Sequence, residues 1–217
     1  MSLTWSPLGA KFWVCMGITL VCLARTSVAE DPTPTPWPTP FYAVLYQNFS
    51  GIIGLMDLYY DWENGRNLHL IKNQYQPIVH DMEFNNGTVL KWSTSSDCRN
   101  LDVGVGVLPP TWLKGATYLG TQKEDGFTVN VFTKADFIVY REDVVSKRPV
   151  SWTFYTGRDV HVMSFQPGYV LPEENWYVPV ECFLEQEKYD LTASGFHESM
   201  DPFSETREWM ISGSTSA

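Results

Sequence analysis

Between residues 41 and 165, apolar and polar positions alternate with a period of two in one short run after another. Each run is rich in β-branched or aromatic residues and bounded by turn formers. That period puts every second side chain on one face of a sheet. A strand is expected at 41–49, then a hairpin in which 57–62 leads into Asn64-Gly65 and 66–72 runs back, Asn-Gly being the dipeptide that best accepts positive φ between two strands. Further strands are expected at 78–84, 88–92, 127–133, 136–141, 150–155 and 158–165. Consecutive strands joined by short turns predict a mainly β fold: an antiparallel meander forming a strongly curved sheet, an open half-barrel. One inner stretch departs from the pattern. Residues 108–115 (LPPTWLKG) carry two prolines and then room for about one helical turn before Gly115. They are expected as one short helical segment plugging the mouth of the sheet, within an irregular region, 97–120, marked by Gly104, Gly106 and Gly115.

The two ends of the chain break the alternation differently. Lys11 precedes an apolar run at 12–24, too short for a comfortable span, and Ser27-Val28-Ala29 offers small residues to a signal peptidase. Residues 1–29 are therefore expected to be a signal peptide cut after Ala29. Residues 30–40 alternate proline with threonine, which suits neither helix nor ladder, and read as an extended leader or linker. Residues 41–184 form the single β domain. Residues 185–217 hold seven acids against two bases and end in Ser-Gly-Ser-Thr-Ser-Ala, an acidic, partly disordered tail with at most a short helix at 203–210.

Removing the signal changes the remaining arithmetic. Lys11 and Arg25 leave with no acid, so the formal net charge moves from −10 to −12. That field repels nucleic acid and anionic membrane surfaces, which leaves sugars, apolar ligands, cations or proteins as partners, with no transmembrane anchor. Cys15 and Cys22 lie in the apolar run, so only Cys98 and Cys182 remain, and in an oxidising compartment they are expected to pair, two separate buried thiols being the alternative. Asn48-Phe49-Ser50 and Asn86-Gly87-Thr88 are both glycosylation sequons, and the second has turn chemistry that places Asn86 on a surface loop. Together these features place the protein in the secretory pathway, secreted to the extracellular or cell-wall space or delivered to a vacuole.

Candidate chemistry is sparse. Tyr60, Trp62, Trp112, Phe127, Trp152 and Phe154 supply an aromatic surface for an apolar ligand or a sugar within the concave face, against the plain alternative of an ordinary core. Asp57 and Asp61 share a strand face, as do Asp81 and Glu83, so either pair offers an acid and a base for a glycosidic bond or oxygens for a cation. In so acidic a chain, solvated carboxylates are the simpler reading. His69, His80 and His161 lack local ligand spacing, and no Cys or His stands at zinc spacing from either cysteine, so neither metal nor cofactor is expected. There is no nucleophile motif, no phosphate loop and no D-x-D for a metal-held nucleotide sugar, and no catalytic residue is assigned.

Residues 42–72, Cys98-Arg99, Leu108-Pro-Pro-Thr-Trp112 and the run 120–127 (GTQKEDGF) together resemble a family of small secreted plant proteins. Its members often carry the label "transferase, transferring glycosyl groups". More distantly, the order of signal, Tyr-Tyr-Asp hairpin, cysteine and successive strands is similar to ependymin-related proteins, whose fold resembles the bent half-barrel of bacterial lipoprotein carriers. The second resemblance implies a carrier of hydrophobic ligands. The function expected is thus a secreted protein holding an apolar or amphipathic, lipid-like ligand in the concave face of a curved sheet. The alternatives are a carbohydrate-active enzyme, as the label implies, and a non-catalytic extracellular interaction protein.

Overall fold

The computed structural model describes residues 1–2, 30–73, 76–104, 106–135, 138–154, 157–183 and 187–188. Residues 3–29 of the expected signal peptide, its cleavage site after Ala29, and the expected tail apart from residues 187–188 lie outside the described residues. The fold below is that of the compact unit beginning at Asp31.

β1 (Phe41–Phe49) buries Phe41, Ala43, Leu45 and Gln47, the alternation its sequence predicts. β2 (Ile52–Asp61) returns beside it, and β3 (Arg66–Asn73) follows after a loop built on a 3-10 turn, Trp62–Asn64. Gly65 closes that loop at φ 65°, a left-handed conformation that glycine adopts without a Cβ penalty. β4 (Val79–Phe84), β5 (Thr88–Ser93) and β6 (Ser96–Asp102) extend this first meander. A second comprises β7 (Thr117–Glu124), β8 (Phe127–Lys134), β9 (Ile138–Asp143), β10 (Pro149–Phe154) and β11 (Asp159–Pro167).

The two meanders join where β11 pairs antiparallel with the free side of β1, giving the order β12-β6-β5-β4-β3-β2-β1-β11-β10-β9-β8-β7. The eleven long strands are antiparallel, and the sheet is not closed. β12 (Glu187–Lys188) adds two residues parallel to β6. A single continuous meander was expected, and the pairing of the first strand with the eleventh corrects it. β6 and β7 overlap the two ends of the stretch, 97–120, expected to be irregular. Both are largely polar, as suits strands at or near the sheet's ends, so their runs lack the apolar alternation that marks the others.

Because β6 and β7 stand at opposite ends of the antiparallel order, residues 103–116 must cross the sheet. The expected helical segment lies here and is instead a series of turns, with Trp112 N–H donating to Pro109 O, Lys114 N–H to Thr111 O and Ala116 N–H to Leu113 O. Gly115, at φ 82°, ends the segment before the hydrogen bonding can propagate beyond single turns. Val107 and Leu113 from this crossover enter the main apolar cluster beside Phe41, Leu45, Leu58 and Tyr140. Among the described residues the short helices are 3-10 turns at Trp62–Asn64, Glu173–Asn175 and Val180–Phe183, and none of these residues forms a helix long and apolar enough to cross a membrane.

A second cluster lies on the opposite face of β3, β4 and β5, where Leu68, Met82 and Leu90 meet Trp176 and Cys182 from the segment that follows β11. Cys98 and Cys182 form the disulfide expected from the sequence, with Cα atoms 5.0 Å apart. The bond ties that segment to β6, and Asn100 Nδ2 adds a hydrogen bond to Cys182 O at 3.0 Å. The bond joins residues 84 apart, so in the chain-entropy account reduction is expected to cost about 4 kcal/mol of unfolding free energy. The urea midpoint with and without reductant measures this, and a midpoint that reductant leaves unmoved would rule out that contribution.

A candidate ligand cavity on one face of the sheet

The period of two, combined with the strand register, decides which side chains share the main cluster's face. Phe41, Ala43 and Leu45 of β1 stand opposite Tyr60, Leu58 and Met56 of β2. The same face continues through Asn67, His69 and Ile71 of β3 to Glu83, Asp81 and Val79 of β4. In the other direction it runs through Val162 and Val160 of β11 to Trp152 and Phe154 of β10 and then Tyr140 and Ile138 of β9. The face thus grades from aromatic and aliphatic at β9, β10, β1 and β2 to polar at β3 and β4.

A partly solvent-open cavity of about 80 Å³ follows this gradient. Its apolar wall includes Trp37, Trp112, Trp152, Phe154, Leu58 and Ile138, and Asn67, His69 and Glu83 line its polar end. Two lining side chains carry buried polar atoms without a hydrogen-bond partner in the protein, Trp112 Nε1 and Asn67 Oδ1. Leaving such an atom unsatisfied costs on the order of 1–3 kcal/mol, so each favours a ligand that supplies the missing partner.

Trp37 comes from the Pro/Thr run, 30–40, expected to be an extended leader or linker, and it is docked on the domain. Its ring is 9% exposed and meets Phe41, Tyr60 and Trp112 edge-on, at 5.5, 5.8 and 5.4 Å between centroids. Its backbone N–H donates to Pro110 O at 2.9 Å and its Nε1–H to Tyr140 Oη at 3.3 Å. Two residues earlier, Thr35 N–H donates to Glu142 Oε2 at 2.9 Å. The run thus docks on the crossover and on β9 through one large aromatic side chain, which is the single signal that distinguishes it from a free linker.

Of the expected ligand-binding residues, Trp112, Trp152 and Phe154 line the cavity and Trp62 packs against the same cluster. Tyr60 is buried beneath, its hydroxyl donating to Leu108 O at 2.8 Å and its pKa raised by that burial. Phe127 does not belong with them. It packs with Val129, Val131 and Val150 in a separate cluster, under the Arg148 guanidinium at 5.2 Å. The odd positions of β8 face away from the cavity, and Phe132, of the other parity, faces it.

The carboxylate pairs separate in the same way. Asp57 faces away from the cavity, accepting from the Tyr42 hydroxyl at 3.3 Å and from Lys72 Nζ. Burial and then the Asp57 charge push Tyr42 up to about 12. Asp61 is held by Arg66 Nε at 2.9 Å, and Arg66 in turn binds Glu173 and covers the Trp176 ring. Asp81 and Glu83 are on the cavity face, but Asp81 is fully buried and paired with Lys91 at 3.2 Å. Of the histidines, His69 lines the cavity, whereas His80 stacks on Trp92 at 4.9 Å, its pKa lowered by burial. His161 bridges Asp125 at 2.6 Å and Asp159 at 2.8 Å. Burial opposes its protonation, but those two carboxylates outweigh it and raise its pKa. Asn86 is exposed in the β4–β5 turn, whereas Asn48 is half-buried near the end of β1.

Glu142, which the sequence did not single out, lies on β9 beneath the Pro/Thr run. It is fully buried, and burial raises its pKa even though Thr35 donates to it. A raised native pKa means the folded state holds the proton more tightly than the unfolded one. Native stability from this group therefore falls as pH rises from its ordinary 4.5 through the raised value. Glu142→Gln is expected to match the parent below that window and exceed it in stability above. Urea unfolding at a series of pH values measures the difference, and parallel profiles would contradict it.

Comparison with known proteins places this geometry in context. Residues 36–182 match the family described as Domain of unknown function (DUF8395), a span running from beside Trp37 to the second disulfide cysteine. A search of the curated proteins finds no match. Among solved structures, an uncharacterized conserved protein from Thermus thermophilus is similar in fold, at 10% identity and a TM-score of 0.52, over 70% of this chain and 91% of that one. MucB aligns at 10% identity and a TM-score of 0.43, over 68% of this chain and 60% of that one. At such identities the likeness concerns the fold alone. With the family match covering most of its length, this chain belongs to the DUF8395 family.

Proposed function

We propose that this protein is a non-enzymatic carrier that holds an amphipathic, lipid-like ligand in the cavity described above. The observation that carries this reading is the wall of Trp37, Trp112, Trp152 and Phe154 set against a polar end, with the Trp112 indole N–H buried and without a protein partner. A pocket that is apolar along most of its length and ends in a few polar groups suits a ligand with an apolar body and a polar head.

The proposal includes a curved sheet. β4 and β9 are six strands apart in the sheet order, about 29 Å along a flat sheet at the usual strand spacing. Glu83 of β4 and Ile138 of β9 nevertheless line one cavity, which favours a sheet bent around it as a half-barrel. It also includes passage through the secretory pathway, which the Cys98–Cys182 bond and the exposed sequon at Asn86 support. The family resemblances to small secreted plant proteins and to lipoprotein carriers belong to the same reading. An acid–base role for Asp81 and Glu83 on carbohydrate is less well supported, since Asp81 is fully buried and already ion-paired.

Titration with oleic acid and with lysophosphatidylcholine, followed by tryptophan fluorescence, tests the proposal. Saturable binding of one molecule is expected for at least one probe. Trp152→Ala is expected to weaken it at least about tenfold, the loss that follows from removing a large buried apolar contact. Phe127→Ala, on the other face, is expected to leave it unchanged. No saturable binding to either probe, or equal losses in both variants, would contradict the reading.

A further inference from the structure

The polar end of the cavity gathers side chains of metal-ligand type. His69 stands directly across from Asp81 in the β3/β4 register, and Asn67 across from Glu83, so all four project from the same face. One ligand atom from each of His69, Asp81 and Glu83 lies within 4.8 Å of the others. His69 Nδ1 and Glu83 Oε1 are 3.6 Å apart. That is close to the separation of two atoms that each sit about 2.1 Å from a shared ion. Asn67 provides an independent observation: it is 6% exposed, lines the same cavity, and its Oδ1 is buried without a hydrogen-bond partner in the protein.

We propose that His69, Asp81 and Glu83, with Asn67 Oδ1 as a further oxygen donor, bind a divalent transition metal, Zn²⁺ or Mn²⁺. One imidazole and two carboxylates suit these ions better than an all-oxygen set would, and Mg²⁺ or Ca²⁺ correspondingly less. The ligands approach from the sheet, so the remaining coordination positions open into the cavity, as in metal sites that take a further ligand. Lys91 Nζ, 3.2 Å from Asp81 Oδ2, is the competing cation. The metal competes with that ammonium for the Asp81 carboxylate.

A second group, Glu124, Asp125 and His161, also lies within ligand distance among the described residues. There both ring nitrogens of His161 are already engaged by Asp125 and Asp159, so metal binding would have to break a short charge-assisted hydrogen bond. That group serves as the internal control. The inference does not depend on an organic ligand being found, because metal binding is read with the protein alone.

Calorimetric titration of the untagged, chelator-stripped protein with ZnCl₂ and with MnCl₂ tests it, alongside melting of each variant without metal. One site per chain is expected for at least one of the ions. Glu83→Gln and His69→Gln are each expected to weaken it at least about tenfold, since loss of even an outer partner of a ligand costs that much. Lys91→Met is expected to tighten binding by removing the competing ammonium, and Asp125→Asn to leave it unchanged. If His69→Gln does not fold, Glu83→Gln decides alone, because Glu83 is only half-buried. Failure of the parent protein to bind either ion would overturn the proposal. So would binding that survives Glu83→Gln, is lost in Asp125→Asn, or fails to tighten in Lys91→Met.

Discussion

The pairing of β1 with β11 is the contact on which the rest of the structure depends. β1 brings the two meanders together, with Ala43 flanked by Leu58 on one side and Phe165 on the other. Without it the chain would form two sheets, each with one uncovered apolar face. With it, one face runs continuously from β9 to β4, and the aromatic and polar ends of the cavity belong to a single surface. The ladder contains a bulge: Val44 faces Ser164 and Leu45 faces Val162, which leaves Met163 unpaired and 64% exposed. The bulge keeps both Phe165 and Val162 on the cavity side although they are three residues apart, so the apolar face is not interrupted where the meanders meet.

An open sheet must cover the face it cannot close upon. Here the cover is made by two irregular segments. The crossover from β6 to β7 lays Val107, Leu108, Trp112 and Leu113 across the face, and the Pro/Thr run inserts Trp37 between them and the sheet. Prolines suit both roles, since neither segment has to donate to a ladder and both are held extended or turned at little entropic cost. Gly106 allows the closest approach. A Cβ there would stand 2.3 Å from Asn85 O, so the crossover can pass this close to the β4–β5 turn only with glycine at that position. The cover rests on hydrogen bonds and aromatic packing, with no ladder of its own.

Much of the sheet was legible because the residues carry their own instructions. Asn64-Gly65 set the β2–β3 hairpin, the alternation in 41–49 set β1, and two remaining cysteines set the disulfide. β6 and β7 were not legible, since SDCRNLD and TYLGTQKE have too few apolar residues to alternate. Nor was the β1–β11 pairing, which depends on the overall packing of the chain and on no local motif. Phe127 shows the limit most clearly. The period of two establishes that Phe127, Val129 and Val131 share a face, but not which face, and the main apolar cluster takes Phe132 of the opposite parity. Trp37 was missed for a different reason, because proline-rich composition predicts an extended backbone and is silent on where that backbone docks.

The claim that this face is a ligand-binding surface is tested most directly by the indole N–H signals of the tryptophans, observed by nitrogen-resolved NMR as oleic acid is added. Trp37, Trp112 and Trp152 line the cavity, whereas Trp92 and Trp176 pack in the cluster on the other face. The account predicts that the first three shift together and saturate while the last two stay in place. Shifts confined to Trp92 and Trp176, or no saturating shift at Trp37, Trp112 and Trp152, would contradict it.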